Sequence, residues 1–335
     1  MDNVNYSAKM TPVLEKAGLF EGEPFTLVDV GCSQGIDHIW RSFGKQLRAF
    51  GFDPDRTECE RLQRIETNPQ VHYFPMAVGL PQDHEYHRRK SAQEGGQPPY
   101  EVSAFARSSA WSLRDAIHPP PSAPPAAASA TPTRIGFGDF FGQREVKDID
   151  FVKTDTDGSD FEVLLSAESC MESHRILGFM VECNFQGSDH DTCNTFHNID
   201  RLMKRHGFMI YAMSVNRYSR AVLPAPFVYN LAAQTRWGQP LWGDVVFLRD
   251  LAAPESCPPA PHFSAVKILK LACLYEIFSV PDCAVELLLR FAETVSPVID
   301  PSPLLDLLTP PLRRKRLSYR EYLRAVSAKS KLLLP

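Results

Sequence analysis

Within ten residues, Lys153, Asp155, Asp157, Asp160 and Glu162 set one cation among four acids, in the order Lys-x-Asp-x-Asp-Gly-x-Asp-x-Glu. Carboxylates this close can take up protons, hold a cationic ligand or accept hydrogen bonds from hydroxyls. They also repel one another, so Lys153, backbone donors at a helix start or a cationic ligand must offset the charge. A second pattern is Asp29-x-Gly31-x-x-x-Gly35, with Cys32, Ser33 and Gln34 between the glycines, and Asp53 follows further on. A pyrophosphate-binding turn spaces its glycines as G-x-G-x-x-G so that phosphates meet a helix N-terminus. The looser loop here suits a ligand without a pyrophosphate, carrying groups that a carboxylate can hold. Asp53 stands about twenty residues after the loop, where nucleotide-binding α/β folds place an acid for ribose hydroxyls.

Such residues must be carried on strands that end in loops. Thr26, Leu27, Val28 and Val30 favour a buried strand before the glycine turn, and Ile36 to Leu47 predicts a helix after it. Arg48 to Phe52 predicts a second strand ending at Asp53; Pro54 stops it and Asp55 caps a helix over Arg56 to Glu66. Val71 to Phe74 is a third short strand. Ile149 to Asp155 is a strand whose period of two puts Lys153 and Asp155 on one face, with Asp155 at the carboxyl end, where open α/β sheets bind ligands. Asp157 and Gly158 make the turn, Ser159 or Asp160 caps the next helix, and Phe161, Val163, Leu164 and Leu165 give it an apolar face. Ile176 to Cys183 is a continuous apolar run with Glu182 near its end, as for a buried parallel strand. Asn194 to His206 predicts a helix, and Gly207 to Val215 and Val245 to Leu248 predict the last strands.

Composition sets bounds on the rest. A chain of 335 residues with 44% hydrophobic content can bury a full core, and its net charge of −4 argues against a broad nucleic-acid surface. The eight cysteines are scattered without CxxC spacing, and His190, Asp191 and His197 lack a further ligand at useful spacing, so no metal site is expected. MDNVNYSAKM has no apolar core, which sets the expectation of a cytoplasmic chain without a signal peptide. Phe263 to Val280 is the most apolar run, yet Lys267, Lys270 and Glu276 interrupt it, which predicts an amphipathic helix and no membrane span. Two stretches break the pattern of elements: a proline-rich segment at about 115–132, and Asn216 to Pro240, rich in Arg, Tyr and Trp. Beyond Ala252 the Glu255 to Phe263 linker leads to helical patterns over Ser264 to Val280 and Pro281 to Val295, and Arg313 to Lys331 predicts a basic terminal helix.

The motifs together resemble those of the FkbM-type methyltransferases. Val152 to Asp160, VKTDTDGSD, is similar to the family's K-I-D-V-E-G-x-E strand and turn, with Asp157 and Asp160 replacing its two glutamates and keeping the charge. DVGCSQG resembles its first motif, D-I-G-A-N-x-G; FGFDPD resembles its acid-ending second strand; Ala77-Val78-Gly79 resembles the segment after the third strand. The resemblance covers about Thr26 to Asp250, without the proline-rich excursion. It implies an α/β, Rossmann-like class I fold: a mostly parallel seven-stranded sheet with one late antiparallel strand, here followed by a helical appendage. The domain organisation expected is 1–251 for the methyltransferase domain and 252–335 for the linker and helices.

The resemblance implies S-adenosyl-L-methionine as cofactor, whose zwitterionic amino acid, cationic sulfur and lack of phosphate match the first loop. Asp29, Gly31, Ser33 and Gly35 would hold its methionine portion, Asp53 its ribose, with Ala77, Asp155 and Asp157 completing the site. Asp155 and Glu182 are the candidates for general base or acceptor orientation, with Lys153 balancing Asp155. The implied acceptor is a small molecule or glycan, methylated at a hydroxyl, with no nucleic acid; the terminal helices could pair two copies. Two other readings stay open at this point. One is a different nucleotide user such as a nicotinamide-dependent dehydrogenase; the other is a catalytically silent binding module.

Overall fold

The computed structural model describes residues 4–94, 133–187, 189–218, 236–253, 263–312 and 315–330. The proline-rich insertion, the preceding Val102 to Leu113, and most of the Glu255 to Phe263 and Asn216 to Pro240 segments lie outside these residues.

In chain order, helix α1 (Met10–Lys16) precedes β1 (Phe25–Val30), a strand buried along its whole length. Strand β2 (Leu47–Phe52) leads to α2 (Arg56–Ile65), which the Asp55 side chain caps by accepting from the N–H groups of Thr57 and Glu58. Then follow β3 (Val71–Phe74), β4 (Ala77–Val78), α3 (Glu85–Glu94), β5 (Arg134–Ile135) and α4 (Phe137–Gln143). Next come β6 (Phe151–Thr154), α5 (Asp160–Ala167), β7 (Gly178–Asn184), α6 (Phe196–Arg205), β8 (Phe208–Met213), β9 (Asn216–Tyr218) and β10 (Gln239–Arg249). The chain continues with α7 (Ala265–Ile277), α8 (Pro281–Arg290), α9 (Pro301–Leu308) and α10 (Tyr319–Ser330).

The sheet runs β3-β2-β1-β6-β7-β10-β8, with β9 added onto β10. β2 and β3, β1 and β6, and β6 and β7 are parallel, while β10 runs antiparallel to β7. This is the Rossmann-like class I arrangement that the motifs predict, with its late reversed strand. From β1 the chain turns to one side for β2 and β3 and later to the other for β6 and β7. That reversal opens a crevice at the carboxyl ends of β1 and β6, the place where such sheets bind ligands. Both faces are covered, so the inner strands are largely apolar: Val28, Val152, Phe179, Val181 and Val245 are all fully buried. Edge-on rings fix the β2 side, with Phe140 4.6 Å from Phe52 and 4.9 Å from Phe74.

By packing, the chain divides into two units, one made of Thr26–Ile36 and Ala49–Leu248, the other of Asp2–Phe25, Asp37–Arg48 and Arg249–Pro335. In the second, two expectations are corrected. His38–Gln46 forms short 3-10 turns rather than the predicted α-helix, broken at Gly44 with φ 52° and ψ −127°. Trp40 and Phe43, three residues apart, both stack on Phe25, at 5.7 and 3.9 Å between ring centres, and a three-residue repeat lines up the side chains of a 3-10 turn. Helix α7 is not amphipathic, since Lys267 and Lys270 are fully buried and Glu276 nearly so. Its charges are neutralised inside: Lys270 Nζ donates to the Pro24 carbonyl at 3.0 Å and stands 3.5 Å from Glu23, while Glu276 meets the start of α1. Among the described residues, no helix is long and apolar enough to cross a membrane.

Candidate active site

Three strand ends converge on the crevice. Gly31 adopts φ 82°, and a Cβ there would overlap the Asp155 carbonyl oxygen, so only glycine lets the β1 loop lie against the end of β6. The N–H groups of Gly31 and Cys32 donate to the Phe52 carbonyl at 2.9 and 3.1 Å, and Asp155 N–H donates to Val30 O at 2.9 Å. These bonds tie β1, β2 and β6 together where Gly31, Asp53 and Asp155 emerge. Asp53 Oδ1 accepts from Asp55 N–H at 2.8 Å. Past Asp155 the chain turns through Asp157 and Gly158, both at positive φ, 52° and 102°, and enters α5. Ser159 stands at the cap position without a side-chain cap bond, and Asp160 instead turns back to accept from Thr156 N–H at 3.1 Å.

A cavity of about 480 Å³ fills the crevice, a size suited to a nucleoside-sized ligand. Of the residues expected to bind cofactor, Gly31, Ser33, Asp53, Ala77, Asp155 and Asp157 line it. Phe52, Met76 and Val78 add an apolar wall, and Arg134 a cation. Asp29 and Gly35 do not line it. Asp29 is buried beneath, and Gly35, at φ 93°, faces Leu62 and Tyr73.

The acidic series is neutralised piecewise. Lys153 Nζ lies 3.2 Å from Asp29 Oδ1 and 3.4 Å from Asp155 Oδ2, and donates to Gly31 O at 3.0 Å. Burial acts to lower the Lys153 pKa, but the attraction of Asp29 and Asp155 outweighs it and the net shift is upward. Lys153 is therefore a fixed cation under the loop and no base. Glu162 points away from the series, accepting from Leu80 N–H at 3.0 Å and pairing with Arg134. Asp160, deeply buried, has its pKa pushed up to about 6 by desolvation and also receives Asn194 Nδ2 at 3.2 Å.

Glu182 does not line the cavity. The β6–β7 register pairs Thr154 with Val181, so the next step along both strands brings Asp155 alongside Glu182, and the antiparallel ladder sets Asp244 of β10 directly opposite Glu182. Asp155, Glu182 and Asp244 thus form a row of acids at the carboxyl end of β6 and β7. Burial first, then Asp155, Asp160, Asp244 and Asp157, push the Glu182 carboxyl up to about 8. Burial likewise raises Asp244.

Sequence reasoning missed Arg134, Met76, Asp244 and Ser214. Arg134 follows the proline-rich stretch and reaches the site through the short parallel pairing of β5 with β4. Asp244 carries a readable signal, an acid within the apolar run of β10, but its partner is distant in sequence. Among the described residues, no group of three or more His, Cys, Asp or Glu side chains is arranged to hold a metal ion.

The model of the methyltransferase FkbM domain matches residues 29–210, more than half of the 335. No curated protein matches. Among solved structures, the chain is similar to magnesium protoporphyrin IX methyltransferase of Synechocystis with bound SAH, at 7% identity over 71% of this chain and 81% of that one, TM-score 0.29. A TehB-like SAM-dependent methyltransferase of Corynebacterium glutamicum follows, at 12% identity over 70% and 87%, TM-score 0.28. A SAM-dependent methyltransferase of Aquifex aeolicus gives 9% identity over 72% and 91%, TM-score 0.31. Likeness at these scores adds nothing to the strand order, which defines the fold by itself. With its strand order, its acid-bearing turn after β6 and the match over residues 29–210, the chain belongs to the FkbM methyltransferase family.

Proposed function

We propose that this chain transfers a methyl group from S-adenosylmethionine to a hydroxyl oxygen of a sugar, glycan or natural-product-like acceptor. The observation that carries the reading is the donor set of the cavity: three carboxylates, Asp53, Asp155 and Asp157, with Arg134 as the cation lining it among the described residues. Three acids repel a pyrophosphate, which weighs against a dinucleotide, and they fit a ribose diol, an ammonium and a sulfonium. Asp53 holds the ribose hydroxyls at the end of β2. Asp155 and Asp157 face the cationic portion, and Phe52, Met76 and Val78 supply an apolar wall for the base.

The bound cofactor supplies a methyl group already activated by its sulfonium, so the protein has two tasks: to align the acceptor and to accept its proton. Glu182, beside Asp155, takes that proton in its ionised form as the acceptor oxygen bonds the methyl carbon. With its carboxyl near 8, Glu182 matches an alcohol's demand better than an ordinary carboxylate would. Helices α8 to α10 offer a surface through which two copies pair.

Calorimetry tests the cofactor assignment. S-adenosylhomocysteine should bind and NADH should not, and Asp53→Ala should weaken S-adenosylhomocysteine about tenfold or more, roughly 1.4 kcal/mol. Unchanged affinity in Asp53→Ala rejects the ribose role, and binding of NADH alone rejects the cofactor.

A further inference from the structure

Glu182 is one half of a built arrangement. Asp244 lies directly across the β7–β10 ladder from it, and directly opposed residues on one face hold their Cβ atoms about 4.5–5.5 Å apart. Asp244 is itself fixed by Ser214, just past the end of β8. Ser214 Oγ donates to Asp244 Oδ2 at 2.8 Å, Ser214 N–H donates to Asp244 O at 2.9 Å, and Asp244 N–H donates back to Ser214 Oγ at 3.2 Å. The neighbouring Gly243 permits this approach, since a Cβ there would overlap the Ser214 carbonyl oxygen. Two half-buried carboxyls facing each other cannot both ionise at little cost, whereas one shared proton turns the repulsion into attraction.

We propose that Asp244 is the positioning residue of Glu182: the two carboxyls face each other as a pair that holds one proton at neutral pH, and Ser214 keeps Asp244 the ionised member. The proposal rests on the methyltransferase reading for its use, because the pair would hold Glu182 in the orientation from which, once its own proton has gone to solvent, it takes the acceptor proton. Its geometry belongs to this chain whatever the acceptor is. The charged and titratable groups facing Glu182 are Asp155, Asp157, Asp160, Asp244 and Tyr218, and Lys153 acts on Asp244. Two cations act on Asp244, the N-terminal ammonium and Lys153, and Lys153 is already held between Asp29 and Asp155. Among the described residues, no cation acts on Glu182 itself, and four acids do, so a proton on the pair relieves the repulsion. Burial is the largest cause of an upward shift in both carboxyls, which favours a proton on the pair.

The full chain, labelled with carboxyl-13C glutamate, reports Glu182 directly by carbon NMR, its signal identified by its loss in Glu182→Gln. The wild type should show this carboxyl titrating near 8, and Asp244→Asn should lower the midpoint by one pH unit or more, a tenfold or larger change in acidity. Ser214→Ala should move it the same way by less, because Asp244 then holds the proton more of the time. A midpoint unmoved in Asp244→Asn, or an ordinary carboxylate titration in the wild type, overturns the pair. Should Asp244→Asn fail to fold, a Ser214→Ala midpoint equal to that of the wild type overturns it. A purely structural Asp244 would change the melting temperature and leave the Glu182 titration in place. S-adenosylhomocysteine binding by the same samples reads the methyltransferase assignment separately: a wild type that binds none sinks that assignment while the titration still decides the pair.

Discussion

Glu276 in the helical unit and Glu182 in the sheet unit are glutamates withdrawn from water into opposite surroundings. Glu276 collects four donors at the start of α1: Lys9 and Met10 N–H at 2.6 and 2.8 Å on Oε1, Thr11 N–H and Oγ1 at 2.9 and 2.8 Å on Oε2. Helix α1 has no side-chain cap of its own, and this carboxylate supplies one while also answering the positive end of the helix. Around Glu182 stand acids instead, and among the described residues its carboxyl receives no hydrogen bond. A carboxylate saturated with donors is committed to holding structure. One surrounded by like charge keeps its affinity for a proton, and that affinity is available for chemistry. Partial burial alone does not separate the two cases; the count of donors does.

The contrast breaks most visibly at Glu276. Truncation in Glu276→Ala strands three N–H groups at the buried start of α1, and the expected loss is about 3 kcal/mol of unfolding free energy by urea denaturation. Glu276→Gln, with one acceptor oxygen left, should lose less. A loss under about 0.5 kcal/mol in the alanine variant would show that water replaces the carboxylate without cost, and would end the structural half of the comparison.

The same contrast explains what could be read in advance. Strands β1, β2, β6 and β7 were legible because apolar runs ending near an acid or a glycine are local features, and six of the residues expected to bind cofactor line the cavity. Glu276 was legible only as a charge breaking an apolar run, because its donors come from Lys9 to Thr11 at the other end of the chain. The pattern of α7 therefore suggested a solvent face where there is none. Asp244 was hidden in the same way: its meaning depends on an antiparallel register with β7, and no local spacing encodes which strands become neighbours. The segment after the glycine loop was misread for a different reason, since Trp40 and Phe43 follow the spacing that Phe25 imposes on them rather than the helical repeat.

A third acid sharpens the rule within the sheet unit itself. Asp150, fully buried at the start of β6, accepts the Thr26 N–H on Oδ2 at 2.7 Å, and its own N–H donates to Thr26 O at 2.8 Å. It sits at the amino end of the parallel pair, away from the acid row, and belongs with Glu276. Asp150→Ala should cost about 1–3 kcal/mol of stability and leave S-adenosylhomocysteine affinity within about twofold. A tenfold loss of affinity with unchanged stability would show that position at the carboxyl end is not what marks an acid for chemistry.

The last test reads the sign of the other class. Glu182→Gln replaces the carboxyl with a neutral amide of the same shape. Between the ordinary carboxyl value of 4.5 and about 8, folded Glu182 holds a proton that the unfolded chain has lost. The stability it contributes is thus fully present below 4.5 and is lost as pH rises through about 8. The amide cannot ionise and suffers no such loss. The variant should therefore gain on the wild type as pH rises, its melting temperature drawing ahead by a few degrees between about pH 5 and about pH 8.5. Calorimetric melts at the two pH values read the difference directly. An equal gap at both would mean that Glu182 is ionised throughout, like a donor-held carboxylate, and the distinction between the two glutamates would collapse.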